Sequence, residues 1–228
     1  MLATFVKRTR ITHDVTTFSF QPNQKLDFTA GQYVEIKLAI ANEDDRGNKR
    51  WFTLSSSPTE PLISITTKRT LGLESAFKHA LFNLSPGMTV HISEPMGDFV
   101  LPKDTTIPLV FVVGGIGATP VRSIIKWLID TGEFRQLRIL YSAHDQKDFA
   151  FCDLFKLYDA KLDLIASTGI NNFRNQLTAE YIINTIKPTE RTLLYISGPE
   201  AMVEQTEAQL KLLGLPASQL VLDFFHGY

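Results

Sequence analysis

Two short stretches of this chain carry residues that can do chemistry. In the first, Val113-Gly114-Gly115-Ile116-Gly117-Ala118-Thr119-Pro120, glycines follow a continuous apolar run and precede a segment with apolar residues at three-and-four spacing. Glycine lets a backbone approach a pyrophosphate, whose charge sits on the unpaired N–H groups at the start of the helix. Pro120 suits a first helical turn, where its missing N–H is not needed. A tight strand-to-helix turn needs glycine for geometry alone, so the nucleotide-binding meaning comes from the strand and helix around it. The second stretch, Arg50-Trp51-Phe52-Thr53-Leu54-Ser55-Ser56, closes a highly charged loop and enters an alternating run. Alternation sends Arg50, Phe52 and Leu54 to one face and Trp51, Thr53 and Ser55 to the other. An arginine can clamp a phosphate, an aromatic ring can lie on an isoalloxazine, and a hydroxyl can reach a ring nitrogen.

The elements that must position these residues change rhythm near residue 100. Before it, apolar residues recur at period two, as in Val34, Ile36 and Leu38, and similar runs cover Phe5 to Arg10, Val15 to Phe20, Phe52 to Ser56, Ile63 to Thr67 and Thr89 to Ser93. Six short strands of this kind predict a small antiparallel barrel or sandwich. A single helix is expected within Leu71 to Leu84. After Pro102 the runs become short and continuous: Leu109 to Val113, Arg138 to Tyr141, Leu162 to Ala166, Leu193 to Ile196 and Leu220 to Phe224. Helical spacing separates them at Val121 to Ile129, Phe149 to Tyr158, Thr178 to Ile186 and Pro199 to Leu213. Alternating strand and helix predict a doubly wound parallel sheet with right-handed crossovers. The boundary falls near Leu101 to Thr106, giving domains 1–102 and 103–228.

Composition narrows the function. With 23 Lys+Arg against 24 Asp+Glu the chain has a formal net charge of −1, and no basic run speaks for nucleic acid. No apolar stretch is long enough to span a bilayer and the start lacks a signal-peptide pattern, so a cytoplasmic protein is expected. The single Cys152 allows neither an internal disulfide nor a cluster held by four thiolates, and in Phe151-Cys152-Asp153 it reads as a packed thiol. His13, His79, His91, His144 and His226 never pair at metal-ligand spacing, so no metal site is expected. No Gly-x-Ser-x-Gly elbow suggests a hydrolase.

Taken together, the two motifs resemble those of the ferredoxin–NADP reductase family, Arg-x-Tyr-Ser/Thr-x-x-Ser and Gly-Gly-x-Gly-x-x-Pro, and the likeness runs through the whole chain in order. Gly72-Leu73-Glu74-Ser75 is similar to that family's Gly-x-x-Ser, and Pro95-Met96-Gly97-Asp98-Phe99 to its Pro-x-Gly-x-Phe. Ser197-Gly198-Pro199-Glu200-Ala201-Met202 resembles Cys-Gly-Pro-x-x-Met, with serine at the cysteine position. Asp223-Phe224-Phe225-His226-Gly227-Tyr228 resembles an acidic-x-Phe-x-Gly-Tyr ending.

The resemblance implies a six-stranded antiparallel barrel that holds FAD, followed by a parallel domain that binds NADH or NADPH. It assigns Arg50 and Ser75 to the flavin phosphates, Phe52 to the flavin ring, Thr53 to the neighbourhood of flavin N5, and Ser56 to the end of the motif. It places the nicotinamide pyrophosphate at Gly115, Gly117, Thr119 and Pro120, and the nicotinamide beside Gly198 and Pro199. Tyr228 would cover the flavin, and Asp223, if near the flavin, could relay protons; Thr53 and Asp223 are the catalytic candidates. Phe52 lacks the hydroxyl of the commoner tyrosine. Ser142 suits a 2′-phosphate and Asp145 repels one, which leaves the choice of nicotinamide open. The implied activity passes a hydride from NAD(P)H to FAD, then electrons to a separate acceptor: ferredoxin, flavodoxin, an oxygenase component, a quinone or free flavin. The alternatives are a reductase using dissociable flavin as substrate and a non-catalytic electron-transfer subunit of a complex.

Overall fold

A computed structural model describes residues 1–41, 43–69, 75–158, 160–167 and 177–224. The first half contains β1 (Leu2–Arg10), β2 (Val15–Pro22), β3 (Tyr33–Lys37), β4 (Lys49–Thr53), β5 (Ile63–Lys68), α1 (Ala76–Phe82) and β6 (Thr89–Ile92). The strands form one antiparallel sheet in the order β4-β3-β6-β1-β2-β5. Its ends meet through a bridge between Leu54 and Ile65, so the sheet closes into the expected barrel. Inside lie the alternate residues of each strand, Phe18 and Phe20 from β2, Val34 and Ile36 from β3, Ile63 and Ile65 from β5, plugged by Phe77, Leu81 and Phe82 of α1. Ser75 caps α1 by accepting the Lys78 N–H at 3.2 Å.

The sequence places a strand at Phe52 to Ser56, whereas β4 starts three residues earlier and ends at Thr53. Ser55 and Ser56 both turn their N–H groups onto the Ser64 carbonyl, at 2.8 and 3.4 Å, which interrupts the ladder as a bulge does. The helix expected over Leu71 to Leu84 is Ala76–Phe82, with residues 70–74 outside the described set.

The second half contains β7 (Leu109–Gly114), α2 (Ala118–Thr131), β8 (Leu137–Ala143), α3 (Cys152–Leu157), β9 (Lys161–Ala166), α4 (Ala179–Ile186), β10 (Leu193–Ser197), α5 (Glu200–Leu212) and β11 (Leu220–Asp223). All neighbours are parallel, in the order β11-β10-β7-β8-β9. All six residues of β7 are buried. Leu109, Phe111 and Val113 face α2 and α3, while Val110 and Val112 face α4 and α5. Both faces are therefore covered, which is why these strands read as unbroken apolar runs. The helix expected over Phe149 to Tyr158 is shorter because Phe151 adopts φ 62°, a left-handed conformation that the α-helix cannot include.

The halves meet through packed side chains and hydrogen bonds. Phe99 stands edge-on to Tyr195 with ring centroids 5.0 Å apart, and the Tyr195 hydroxyl donates to the Val100 carbonyl at 2.7 Å. On α2, Arg122 donates to the Ser55 carbonyl at 2.8 Å and forms an ion pair with Glu60, and the Ser123 hydroxyl donates to the Ser56 carbonyl at 2.6 Å. These bonds fix α2, and with it the glycine turn, against the end of β4.

Candidate functional site

Strand order reverses between β7 and β10, and crevices at such switch points, outside the carboxyl ends of the strands, are where open parallel sheets bind ligands. Here the crevice opens onto the barrel. A cleft of about 320 Å³ is lined on one side by Trp51, Phe52, Thr53, Thr66, Thr67, Lys68 and Lys78, and on the other by Ile116, Thr119, Gly198, Pro199 and Glu200. A smaller cavity of about 150 Å³ beyond Trp51 is lined by Tyr33, Gly97, Asp98, Phe99, Leu222, Asp223 and Phe224.

The glycines hold the crevice together. A Cβ on Gly117 would stand 2.3 Å from the Ser197 carbonyl oxygen, so the two turns pass with backbone against backbone. Gly115 is different: it has φ +51°, and nothing lies within 4 Å of where its Cβ would point. Thr119 is buried with its hydroxyl on the Ile116 carbonyl, and Pro120 sits in the first turn of α2.

On the barrel side Arg50 is only 8% exposed. Its Nη1 donates to the carbonyls of Arg46 at 2.7 Å, Gly47 at 3.2 Å and Lys49 at 2.6 Å, and its guanidinium carbon lies 5.3 Å from the centre of the Phe77 ring. Its Nη2 is buried and, among the described residues, has no hydrogen-bond acceptor. Buried donors are seldom left so, and an unpaired one on a guanidinium is what a phosphate oxygen would satisfy. The residues at this end of the barrel therefore fit a phosphorylated cofactor. Phe52 points inward beside Phe77, at 5.9 Å between ring centres, while one side of it borders the cleft. Trp51 is 42% exposed and lines both cavities.

Thr53 lies on the same face as exposed Trp51 yet is buried, because the second half of the chain covers it. Its hydroxyl bonds to the carboxylate of Asp223, which also accepts from the Ser197 hydroxyl at 2.9 Å. The parallel register sets this pairing, Ser197 opposite Asp223. Burial pushes the Asp223 carboxyl up to about 6, and the Ser197 and Thr53 hydrogen bonds only partly oppose it. In the unfolded chain the group titrates near 3.8, so the native state binds the extra proton between these values, and ionisation costs stability as pH rises through that window. Asp223→Asn should match the parent near pH 3.5 and exceed it by up to about 3 kcal/mol above pH 7, read from urea unfolding at both pH values. A constant difference across pH would remove Asp223 from that titration.

Ser56 is buried with its hydroxyl accepting the Ser64 N–H at 2.9 Å, and so belongs to the seam between barrel and α2 rather than to the cleft wall. Tyr228, with residues 225–227, falls outside the described residues. Sequence reasoning had not singled out Thr66, Thr67, Lys68 or Lys78; nothing in a strand's alternation says which of its hydroxyls border a cleft.

Residues 2–101 match the family described as oxidoreductase FAD-binding domain, and residues 111–208 the family described as oxidoreductase NAD-binding domain. The chain belongs to the ferredoxin–NADP reductase-like family, its two halves being an oxidoreductase FAD-binding and an oxidoreductase NAD-binding domain. Among its relatives, the glycine betaine monooxygenase reductase subunit of Chromohalobacter salexigens is 35% identical over 93% of this chain and 61% of its own length. A flavohemoprotein of Bacillus cereus is 26% identical over 96% of this chain and 59% of its own. The chain thus spans about three fifths of the curated relatives it matches. In fold it is similar to the FAD/NAD-binding domain of nitric oxide dioxygenase from Vibrio cholerae, with a TM-score of 0.82, 21% identity and 98% of both chains covered. Phthalate dioxygenase reductase gives 0.76 at 20% identity, covering 98% of this chain and 67% of that one. Among the described residues no helix is long and apolar enough to cross a membrane.

Proposed function

We propose that this chain is the reductase unit of an electron-transfer system, taking a hydride from NADH or NADPH and delivering electrons, by way of FAD, to a separate acceptor. The single observation that carries the reading is the cleft, built half from the β4 and β5 residues of the barrel and half from the glycine turns of the parallel domain. FAD, when bound, supplies the exchange between a two-electron donor and the acceptor. Arg50 and Ser75 hold its phosphates, Phe52 borders its ring and Thr53 presents a hydroxyl to it. Gly115, Gly117, Thr119 and Pro120 position the nicotinamide's pyrophosphate, and Gly198 and Pro199 shape the floor beneath its ring. Asp223, in contact with Thr53 and Ser197, exchanges a proton at its carboxylate and keeps that proton away from bulk water.

With one cysteine the chain cannot hold a four-thiolate iron–sulfur cluster, which supports an acceptor outside it. Relatives named as a monooxygenase reductase subunit and as flavohemoproteins favour an oxygenase component or haem protein. The test is an absorbance spectrum of the purified chain with FAD added, followed without oxygen on addition of each nicotinamide. Bleaching of the flavin band by at least one, with dye reduction in the steady state, is the expected result. A chain that binds FAD but is bleached by neither would be an electron-transfer subunit only.

A further inference from the structure

The loop ahead of β4 carries a carboxylate into the same corner as the unpaired Arg50 nitrogen. Asp44 Oδ2 accepts the Ala76 backbone N–H at 2.7 Å, across 32 residues of sequence, and its Oδ1 lies 3.9 Å from Arg50 Nη2. The contact is too long for a hydrogen bond, so Nη2 keeps its donor unused while a negative charge sits beside it. The loop is wrapped on Arg50 through the Arg46, Gly47 and Lys49 carbonyls, and Asp44 also accepts the Arg46 N–H at 3.1 Å. Ser75, the second residue assigned to the flavin phosphates, immediately precedes Ala76. The carboxylate therefore occupies ground between the two groups that the proposed function gives to the phosphates.

We infer that Asp44 is a built-in competitor for the flavin's phosphate position: its carboxylate takes the Arg50 and Ala76 corner and must move when a phosphorylated flavin enters. The inference rests on the flavin reading above and deepens it, since it makes flavin retention a contest between two anions for one guanidinium. The Ala76 N–H, with Arg46 and Arg50 nearby, keeps the Asp44 carboxyl below the usual carboxylate range, so the competitor is charged at every working pH. Like charges cannot share the corner without cost, and a group that the ligand must displace subtracts directly from affinity.

Asp44→Asn removes the charge while its amide oxygen can still accept the Ala76 N–H; the Arg46 N–H loses its acceptor, because the amide NH2 only donates. FAD, FMN and riboflavin affinities are measured by flavin fluorescence on both proteins, with melting temperatures as a check on folding. FAD and FMN should bind the variant roughly three- to tenfold more tightly, corresponding to about 0.6–1.4 kcal/mol, and riboflavin, which has no phosphate, should bind both alike. Unchanged or weaker FAD binding would overturn the inference, and so would an equal shift for all three ligands, which would make Asp44 a support for the barrel. If neither protein binds any flavin, the flavin reading itself fails, a result the riboflavin arm separates from the others.

Discussion

Gly117→Ala is expected to lower the melting temperature by roughly 2 to 12 °C and to suppress nicotinamide oxidation even where the chain stays folded. The added Cβ would stand 2.3 Å from the Ser197 carbonyl oxygen and 2.6 Å from the Gly198 nitrogen. Both are backbone, so the clash cannot be relieved by a side chain swinging aside. Forced overpacking of this kind costs about 1–3 kcal/mol, and each kcal/mol is worth about 2–4 °C in a chain of this size. The β7 and β10 turns would have to separate, and those turns form one wall of the cleft. A glutamate at this position would fail for the same reason before its charge had any effect on a phosphate. Gly115→Asp isolates the charge, since that backbone suits asparagine and aspartate and the side chain meets open space. It should leave the melting temperature nearly unchanged and weaken nicotinamide binding about tenfold or more. Thermal scans and nicotinamide titrations on the two variants decide the matter: equal affinity of Gly115→Asp and parent for both nicotinamides would take this turn out of the site.

Arg50→Ala should weaken FAD binding by roughly ten- to a hundredfold, because a charge-assisted bond to a buried guanidinium is worth about 1.5–3 kcal/mol. The structure adds a complication, since Arg50 Nη1 also ties down three loop carbonyls. Loss of that anchor would weaken riboflavin as well, whereas loss of the phosphate contact would not. Arg50→Lys separates the two, having the charge but no second nitrogen to aim at a phosphate. The expected order of FAD affinity is parent, then lysine, then alanine, with riboflavin varying much less. An equal loss across FAD, FMN and riboflavin would mean that Arg50 shapes the barrel and does not touch phosphate.

The strands and helices were legible where burial imposes a period. Val34 and Ile36 alternate because one face of β3 is core, and β7 is continuous because two helix layers cover it. Pairing was not legible: β4 begins at Lys49 and Arg50, whose types carry no strand signal, because β3 fixes its register through Tyr33 opposite Thr53. The glycine turn was recognisable as a turn, but the reason for Gly117 is a close approach to a strand 80 residues further along. Thr53, Ser197 and Asp223 were each singled out for separate reasons. Their union comes from a parallel register and a domain contact, neither of which leaves a mark on local sequence. Asp44 was one acid in a loop that reads as solvated, and only the folded chain brings it to Ala76.

Among the described residues β11, which carries Asp223, has a neighbour on one side only, while Thr53 belongs to a closed barrel and Ser197 to an interior strand. Edge strands release their hydrogen bonds more readily than interior ones, in brief excursions that leave the rest of the fold intact. An excursion of β11 would let water reach the Asp223 carboxylate and return it to ordinary acidity. The proton affinity of this site is then a time average over closed and open strand, falling as temperature or denaturant lengthens the open intervals. The acid's strength thereby becomes a gauge of how firmly the last strand is seated, readable by titrating the carboxyl at several temperatures well below melting.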